Sequence, residues 1–268
     1  MGSFEKRVRV LTLNIAHGRG LSTYQGFHSA RGIERSLRRL GHMLRKFDAD
    51  IVALQEVDED SHWNQNIHLL DVLQAEAGYP HAYLGVHNRR SGKRRLAYGN
   101  GVLTKYPIHH AEHEAFGRAS LGEKGFACVE LETPHGILPL INLHLDFRSR
   151  LRRVEQVERL IRFLDDKKYN DAGTPHLSPI VCGDFNSRVG RPSDAVRHLL
   201  TYLSQHCAYR LFPEGKQKRT FPSLFPLQGL DFIFVPPMFK VIDSSVIRTY
   251  VSDHRPVLVD LDLAPSEG

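Results

Sequence analysis

The stretch IVCGDFNS (180–187) runs through small apolar residues and then places a carboxylate and an amide two residues apart. The apolar part reads as a buried strand. If the strand continues, Asp184 and Asn186 share one face of it. The same design recurs along the chain: an apolar run delivers a polar residue at its end. Residues 10–13 lead to Asn14, 51–54 to Gln55 and Glu56, 141–143 to His144 and Asp146, and Val251 to Asp253 and His254, while Asp231 opens a strand of its own. An unpaired buried charge costs several kcal/mol, and a neutral polar group about 1–3 kcal/mol. So many strand ends of this kind point to convergence on one site.

The residue types say what such a site would do. Carboxylates with an asparagine are oxygen ligands suited to a hard divalent cation, Mg²⁺ or Mn²⁺. Zinc would ask for more histidine or cysteine. A histidine beside a carboxylate acts as a general base when a second carboxylate orients its ring. A second histidine and an asparagine can donate hydrogen bonds to an oxyanion. Metal, oriented histidine and anion donors together suit attack of water on phosphorus. Asp184 would then hold or activate the water, and Asn186 would bond a phosphate oxygen.

The elements that must position these residues are legible as well. Strand-like segments cover 8–13, 50–54, 82–86, 101–103, 128–131, 138–143, 179–182, 231–235, 241–247 and 257–261. Ile33, Leu37, Leu40, Leu44 and Phe47 form a helical stripe, as do Leu151, Val154, Ile161 and Leu164. In the second helix, Glu155–Arg159 and Glu158–Arg162 have the spacing of supporting ion pairs. Further helices are expected over 66–77, stopped by Gly78, and from near Ser193 through Leu203. No repeat or linker divides the 268 residues, so one domain is expected. Strands with interspersed helices imply an α/β fold of two packed sheets with helices outside. The short connections imply mostly antiparallel pairing.

The ordered motifs LTLN (11–14), ALQEVD (53–58), YGNGVLTKYPI (98–108), NLHLD (142–146), GDFNS (183–187), LDFIFV (230–235) and SDHRPV (252–257) resemble the endonuclease/exonuclease/phosphatase superfamily. The superfamily includes DNase I-like nucleases, exonuclease III-like repair enzymes, neutral sphingomyelinases, inositol polyphosphate 5-phosphatases and deadenylases. The resemblance covers residues 8 to about 261 and implies a DNase I-like four-layer sandwich of two mixed β-sheets flanked by helices. It also implies roles. Glu56 is the principal metal ligand, and Asn14 and Asp253 are further ligands or ligand-orienting groups. Asp184 positions or deprotonates the water, and Asn186 is the phosphate-binding amide. His254, paired with Asp231, is the general base or a phosphate contact, and His144 a general acid or transition-state donor. Exonuclease III-like members carry an extra carboxylate soon after the first asparagine; here Asn14 is followed by IAHGR, which argues against a close abasic-site repair relative.

Other residues weigh less. Asn100, in YGNG, is a phosphate contact or a turn residue tolerant of positive φ. Arg148 is a substrate-binding candidate by its place after the His144 motif. His17 and Arg19 either touch substrate or lie on an exposed loop. The run 109–114 (HHAEHE) lacks zinc-protease spacing and reads as a solvated surface segment. Phe221, Leu224, Phe225 and Leu227 read as a loop packed on the core, with a lipid-facing loop as the rarer reading. Trp63, the only tryptophan, could cap the cleft.

Net charge is +6, with basic clusters at 89–95, 148–153 and 216–219. They fit nucleic acid, and fit phosphorylated sugars or anionic lipid head groups equally. Three scattered cysteines exclude a disulfide framework and leave a cytoplasmic compartment simplest, unless a trimmed leader directs export. No apolar run is long enough to span a membrane. The expectation is a monomeric, metal-dependent phosphoesterase. A phosphodiesterase acting on nucleic acid leads. A phospholipid head-group or inositol/sugar-phosphate hydrolase is the first alternative, peripheral membrane contact staying open, and a non-catalytic binding module is the second.

Overall fold

Twelve strands form two six-stranded sheets in the computed structural model, which describes residues 7–22, 28–117, 122–168, 177–187, 194–205, 207–214 and 219–263. The first sheet has the order β11-β12-β1-β2-β4-β3. Its strands are β1 (Arg7–Asn14), β2 (Ile51–Asp58), β3 (His81–Arg90), β4 (Leu96–Thr104), β11 (Phe239–Val246) and β12 (Val257–Leu263). The second has the order β5-β6-β7-β8-β10-β9. It is built of β5 (Ile108–Ala115), β6 (Gly125–Thr133), β7 (Gly136–His144), β8 (Ile180–Asp184), β9 (Arg210–Phe212) and β10 (Asp231–Val235). Both are mixed: β1–β2 and β7–β8 are parallel, and the other pairings are antiparallel.

Alternation explains the layers. Along β1, Val8 and Val10 face the other sheet and pack with Leu140, Ile180 and Ile233, while Leu11 and Leu13 face outward. Those outward residues meet helices α1 (Ala30–Phe47) and α2 (Leu69–Ala77) through Leu37, Leu40, Leu44 and Leu73. The second sheet does the same with α3 (Arg150–Lys168) and α4 (Ala195–Leu203), where Val157, Leu160, Leu164 and Leu199 cover Phe126, Leu143 and Phe232. The result is helices, sheet, sheet, helices, as the resemblance implies.

A polar belt crosses the interface between the sheets. Gln55 Nε2 donates to Thr12 Oγ1 and to Asn142 Oδ1 at 2.7 Å. Asn142 donates to the carbonyls of Leu54 and Gly101, and Asn100 to those of Gly125 and Asn142. These bonds tie β2 and β4 to β6 and β7 and fix the register of one sheet on the other. Asn100, expected as a phosphate contact or a turn residue, belongs to this belt. It is fully buried within a strand, with negative φ, and both of its amide hydrogens go to carbonyls.

Packing bears on the other expectations. The polar run 109–114 is a solvated surface segment as expected, with none of its residues buried, and it forms part of β5, an edge strand. β4 extends through YGNG, where a turn was one reading. On α3 the buried stripe is Val157, Leu160, Ile161 and Leu164, while Leu151 is exposed. Arg159 pairs with Glu114 and Glu158 with His198, in place of the expected pairs along the helix. α2 begins at Leu69, with His68 as its cap. α4 is capped by Asp194; Ser193, Lys216 and Lys218 lie outside the described residues.

Candidate active site

The polar strand ends meet at one end of the sandwich. Asn14, at the end of β1, donates from Nδ2 to Asp184 Oδ2 at 3.0 Å, and its Oδ1 accepts from the Ala16 backbone at 2.9 Å. Asp184 closes β8 and is buried. The strand stops there. Asn186 reaches the same spot through a turn, with φ +47, its backbone N–H bonded to Asp184 Oδ1 at 2.9 Å. Gly183 makes the approach feasible: φ is +138, and a Cβ would stand 1.9 Å from the Leu143 carbonyl oxygen. Asn186 donates to the Leu145 carbonyl, and its amide nitrogen lies 3.1 Å from His144 Nε2.

His254 comes from the loop before β12. Its Nδ1 is 2.9 Å from Asp231 Oδ2, and its Nε2 faces Asp184 Oδ2 at 3.8 Å. Ser252 fixes this loop by donating to the Asn14 carbonyl at 2.7 Å. Burial opposes a charge on His254, but Asp231 and Asp184 outweigh it and lift the imidazole to about 10. Burial, aided by the Asp231 charge, pushes Asp184 above the usual carboxylate range against the pull of His254. His144 is the opposite case. Burial and then the Lys124 ammonium hold its pKa well below normal, so the ring is neutral. Lys124 Nζ lies 3.3 Å from Nδ1; when Lys124 donates there, the ring proton sits on Nε2, facing Asn186 and Asp184.

Glu56 stands apart from this network. A bulge between Leu54 and Val57 releases it from the ladder, and its φ is +55. Lys124 Nζ and His17 Nε2 each lie 3.5 Å from its carboxylate. Burial works against ionised Glu56, yet His17 and Lys124 hold its pKa well below the usual range. His17, with φ +53, is clamped by Asp58 at 2.9 Å and by the edges of Trp63 and Tyr98. Asp58 also accepts from Trp63 Nε1 at 3.0 Å. Burial lowers the His17 pKa, but the Asp58 and Glu56 charges outweigh it and raise it above the ordinary value.

These contacts bear on a cation. An ionised carboxylate at Glu56 and the amide oxygen of Asn14, on adjacent parallel strands, are hard oxygen donors fit for Mg²⁺ or Mn²⁺. Asp253, the other expected ligand, accepts from Arg19 at 2.8 Å through Oδ2, as Asn14 Oδ1 accepts from Ala16. Asp184, Asp231 and His254 also present three ligand atoms within 4.8 Å of one another. The Asp231–His254 bond occupies part of that set.

Sequence reading missed Lys124 and Asp58 and left His17 and Arg19 undecided. Lys124 carried the signal that found the others, a charge against an apolar strand (KGFACVEL). Asp146 stabilises the turn into α3, accepting from the backbone of Arg148 and Ser149. Arg148 lies at the cleft mouth, its guanidinium 4.9 Å from the centre of the Phe147 ring, and lines a 330 Å³ cavity together with Asn186.

A sequence profile of the Endonuclease/Exonuclease/phosphatase family matches residues 11–254. The chain is 26% identical to the uncharacterized protein YbhP of Escherichia coli K12, over 95% of this chain and 96% of that one. Among solved structures it resembles an endonuclease/exonuclease/phosphatase family protein of Bacteroides thetaiotaomicron, at 18% identity and a TM-score of 0.70, covering 97% of this chain and 98% of that one. The mannosyl-6-phosphatase Bt3783 of the same species matches at 19% identity and a TM-score of 0.68, over 95% and 99% of the two chains.

Proposed function

The chain belongs to the Endonuclease/Exonuclease/phosphatase family, and from that premise we propose that it is a divalent-metal-dependent phosphoesterase cleaving a phosphodiester by in-line attack of water. One observation carries the reading: both sheets deliver proton-handling and anion-binding groups to one end of the sandwich, where Asn14 and the Asn186 backbone bond Asp184 and His254 bonds Asp231 at 2.9–3.0 Å.

Asp184 is the proton acceptor. It is buried, raised toward neutrality, and held by Asn14 and by the Asn186 backbone. His254 is charged at neutral pH, so it serves as a donor to a phosphate oxygen rather than as the base, with Asp231 fixing its ring. Asn186 and neutral His144 direct N–H groups at the same place and stabilise the charge of the pentacovalent state. A neutral imidazole suits a hydrogen-bond donor better than a general acid. Glu56 and Asn14 would hold the cation, with Asp253 and Arg19 bracing the loop beside them. When bound, the cation supplies Lewis-acid polarisation of the phosphate.

A diester is favoured over a monoester by the cleft. Phe147 and Arg148 line two cavities, one with Asn186 and the other with Lys124 on its wall, and the two substituents of a diester would fill them. Arginines at this mouth suit nucleic acid, the leading expectation, and suit phospholipid equally. Exposed apolar side chains beside them favour the phospholipid head-group ester.

The test is hydrolysis of bis(p-nitrophenyl) phosphate and of p-nitrophenyl phosphate with Mg²⁺ or Mn²⁺, using EDTA and His254→Ala as blanks. Diester turnover abolished by EDTA and lowered about 10²–10⁴-fold by the substitution is expected. Monoester turnover alone would move the reading to a sugar-phosphate phosphatase. Turnover of neither ester would favour a binding module.

A further inference from the structure

We propose that the mouth of this site docks on an anionic phospholipid bilayer. The proposal rests on the phosphoesterase reading for its purpose, presentation of an ester to the cleft, while the contact itself is a property of the mouth.

One rim is the loop 219–230. Phe221 and Gln228 exchange backbone hydrogen bonds at 2.9 and 2.8 Å. The Ser223 backbone N–H donates to the Asp253 carbonyl, its hydroxyl donates to the Ser252 carbonyl, and Arg255 Nε donates to the Ser223 carbonyl. The loop is thus fastened to the segment that carries His254, and the Phe221 ring packs 4.8 Å from the His254 ring. Its tip does not pack. Leu224, Phe225 and Leu227 are 52%, 77% and 69% exposed, contrary to the expectation of a loop buried on the core. Secured so firmly, the loop has bonds that hold these side chains out instead of letting them fold in.

The opposite rim is the turn into α3. Phe147 is 59% exposed and Leu151 69%. Phe147 and Gln228 line the same 330 Å³ cavity, so the two rims face one opening, with Asn186 on its wall. Among the described residues, five of the eight exposed large hydrophobics lie on these two segments, and Phe147 lines the cavity itself. Arginines alternate with them: Arg148, Arg150 and Arg153 line the cavity, and Arg148 and Arg152 line the 700 Å³ cavity behind Phe147.

Charge complementarity identifies the occupant. Apolar tips interleaved with guanidinium groups match a bilayer interface, where side chains enter the acyl boundary and cations meet lipid phosphates. Nucleic acid would satisfy the arginines and could stack on Phe147. It offers nothing to Leu151, Leu224 and Leu227, which have no flat face for a base.

The experiment is co-sedimentation of the full chain with vesicles of phosphatidylglycerol and phosphatidylcholine in equal parts, against pure phosphatidylcholine. Binding to the mixed vesicles is expected, about tenfold or more weaker to the neutral ones, and weakened by salt. Phe225→Ser with Leu227→Ser should cut vesicle binding about a hundredfold with hydrolysis of bis(p-nitrophenyl) phosphate unchanged; Phe225→Trp should retain binding. No sedimentation with the mixed vesicles, or a double variant that binds as well as the wild type, overturns the proposal. Tight retention of single-stranded DNA in place of vesicles overturns it too and assigns the mouth to nucleic acid. Vesicle binding without diester turnover supports the docking and sinks the phosphodiesterase reading alone.

Discussion

The two halves of the site are built differently. Around Asp184, most groups touch: Asn14 and the Asn186 backbone bond Asp184, and Asp231 bonds His254, at 2.9–3.0 Å, while His254 faces Asp184 at 3.8 Å. Around Glu56, the charges stand off: Lys124 and His17 balance the carboxylate from 3.5 Å, beyond good hydrogen-bond length. The first half is preorganised, with protons and orientations already assigned. The second is an ionised acid held by field more than by bonds, which leaves its oxygens able to take a cation. Preorganised donors are useful where charge develops in the transition state, and a loosely held carboxylate is useful where an ion must enter.

The sharpest way to break this contrast is Asp184→Asn. It keeps shape and removes the proton acceptor, so kcat should fall about 10³–10⁴-fold with KM little changed. A fall confined to KM would return Asp184 to a binding role. Substitution in the other half should act on the ion instead. Glu56→Gln should abolish Mn²⁺ binding measured by calorimetry. His17→Ala, which frees Glu56 from one of its two cations, should alter Mn²⁺ affinity about 10–100-fold. The Trp63 emission should change with it, because that ring packs on His17.

The pH–rate profile separates the halves more finely. Asp184 must be ionised, and its pKa is raised, so the acid limb should lie above the ordinary carboxylate range. His254 must be charged, so the alkaline limb should lie near 10. Asp231→Asn should bring that limb down toward the ordinary histidine value of about 6.5. Stability follows the same group. A raised pKa means that the pair's contribution is whole below the unfolded histidine value and is lost as pH climbs through about 10. An alkaline limb unmoved in Asp231→Asn would disconnect the two residues.

The smallest effect belongs to the belt beneath the site. Asn100→Ala leaves the Gly125 and Asn142 carbonyls short of a donor and should cost about 1–3 kcal/mol of stability. The melting temperature should drop while KM stays put. A raised KM at normal stability would put Asn100 back in contact with substrate.

Much of this protein was determined by sequence alone. An apolar run that ends in Asn14, Glu56, His144 or Asp184 is a local pattern. A strand must bury such a run, and the polar residue at its end then has to find a partner. That forces convergence without knowledge of the partner, and it is enough for the two-sheet α/β sandwich and for the gathering of Asn14, Asp184, Asp231 and His254 at one end of it. The tertiary structure decided what local pattern cannot carry. Asn100 sits in a motif that reads as a turn, yet the second sheet covers it and takes both of its amide hydrogens. His17 lies in a loop whose sequence left substrate contact and exposure equally open, and Asp58, Trp63 and Tyr98 close around it from elsewhere in the chain. Leu224, Phe225 and Leu227 read as core, yet the bonds that fasten their loop point them outward. Burial and pairing depend on where distant segments return, and a strand's own periodicity does not contain that information.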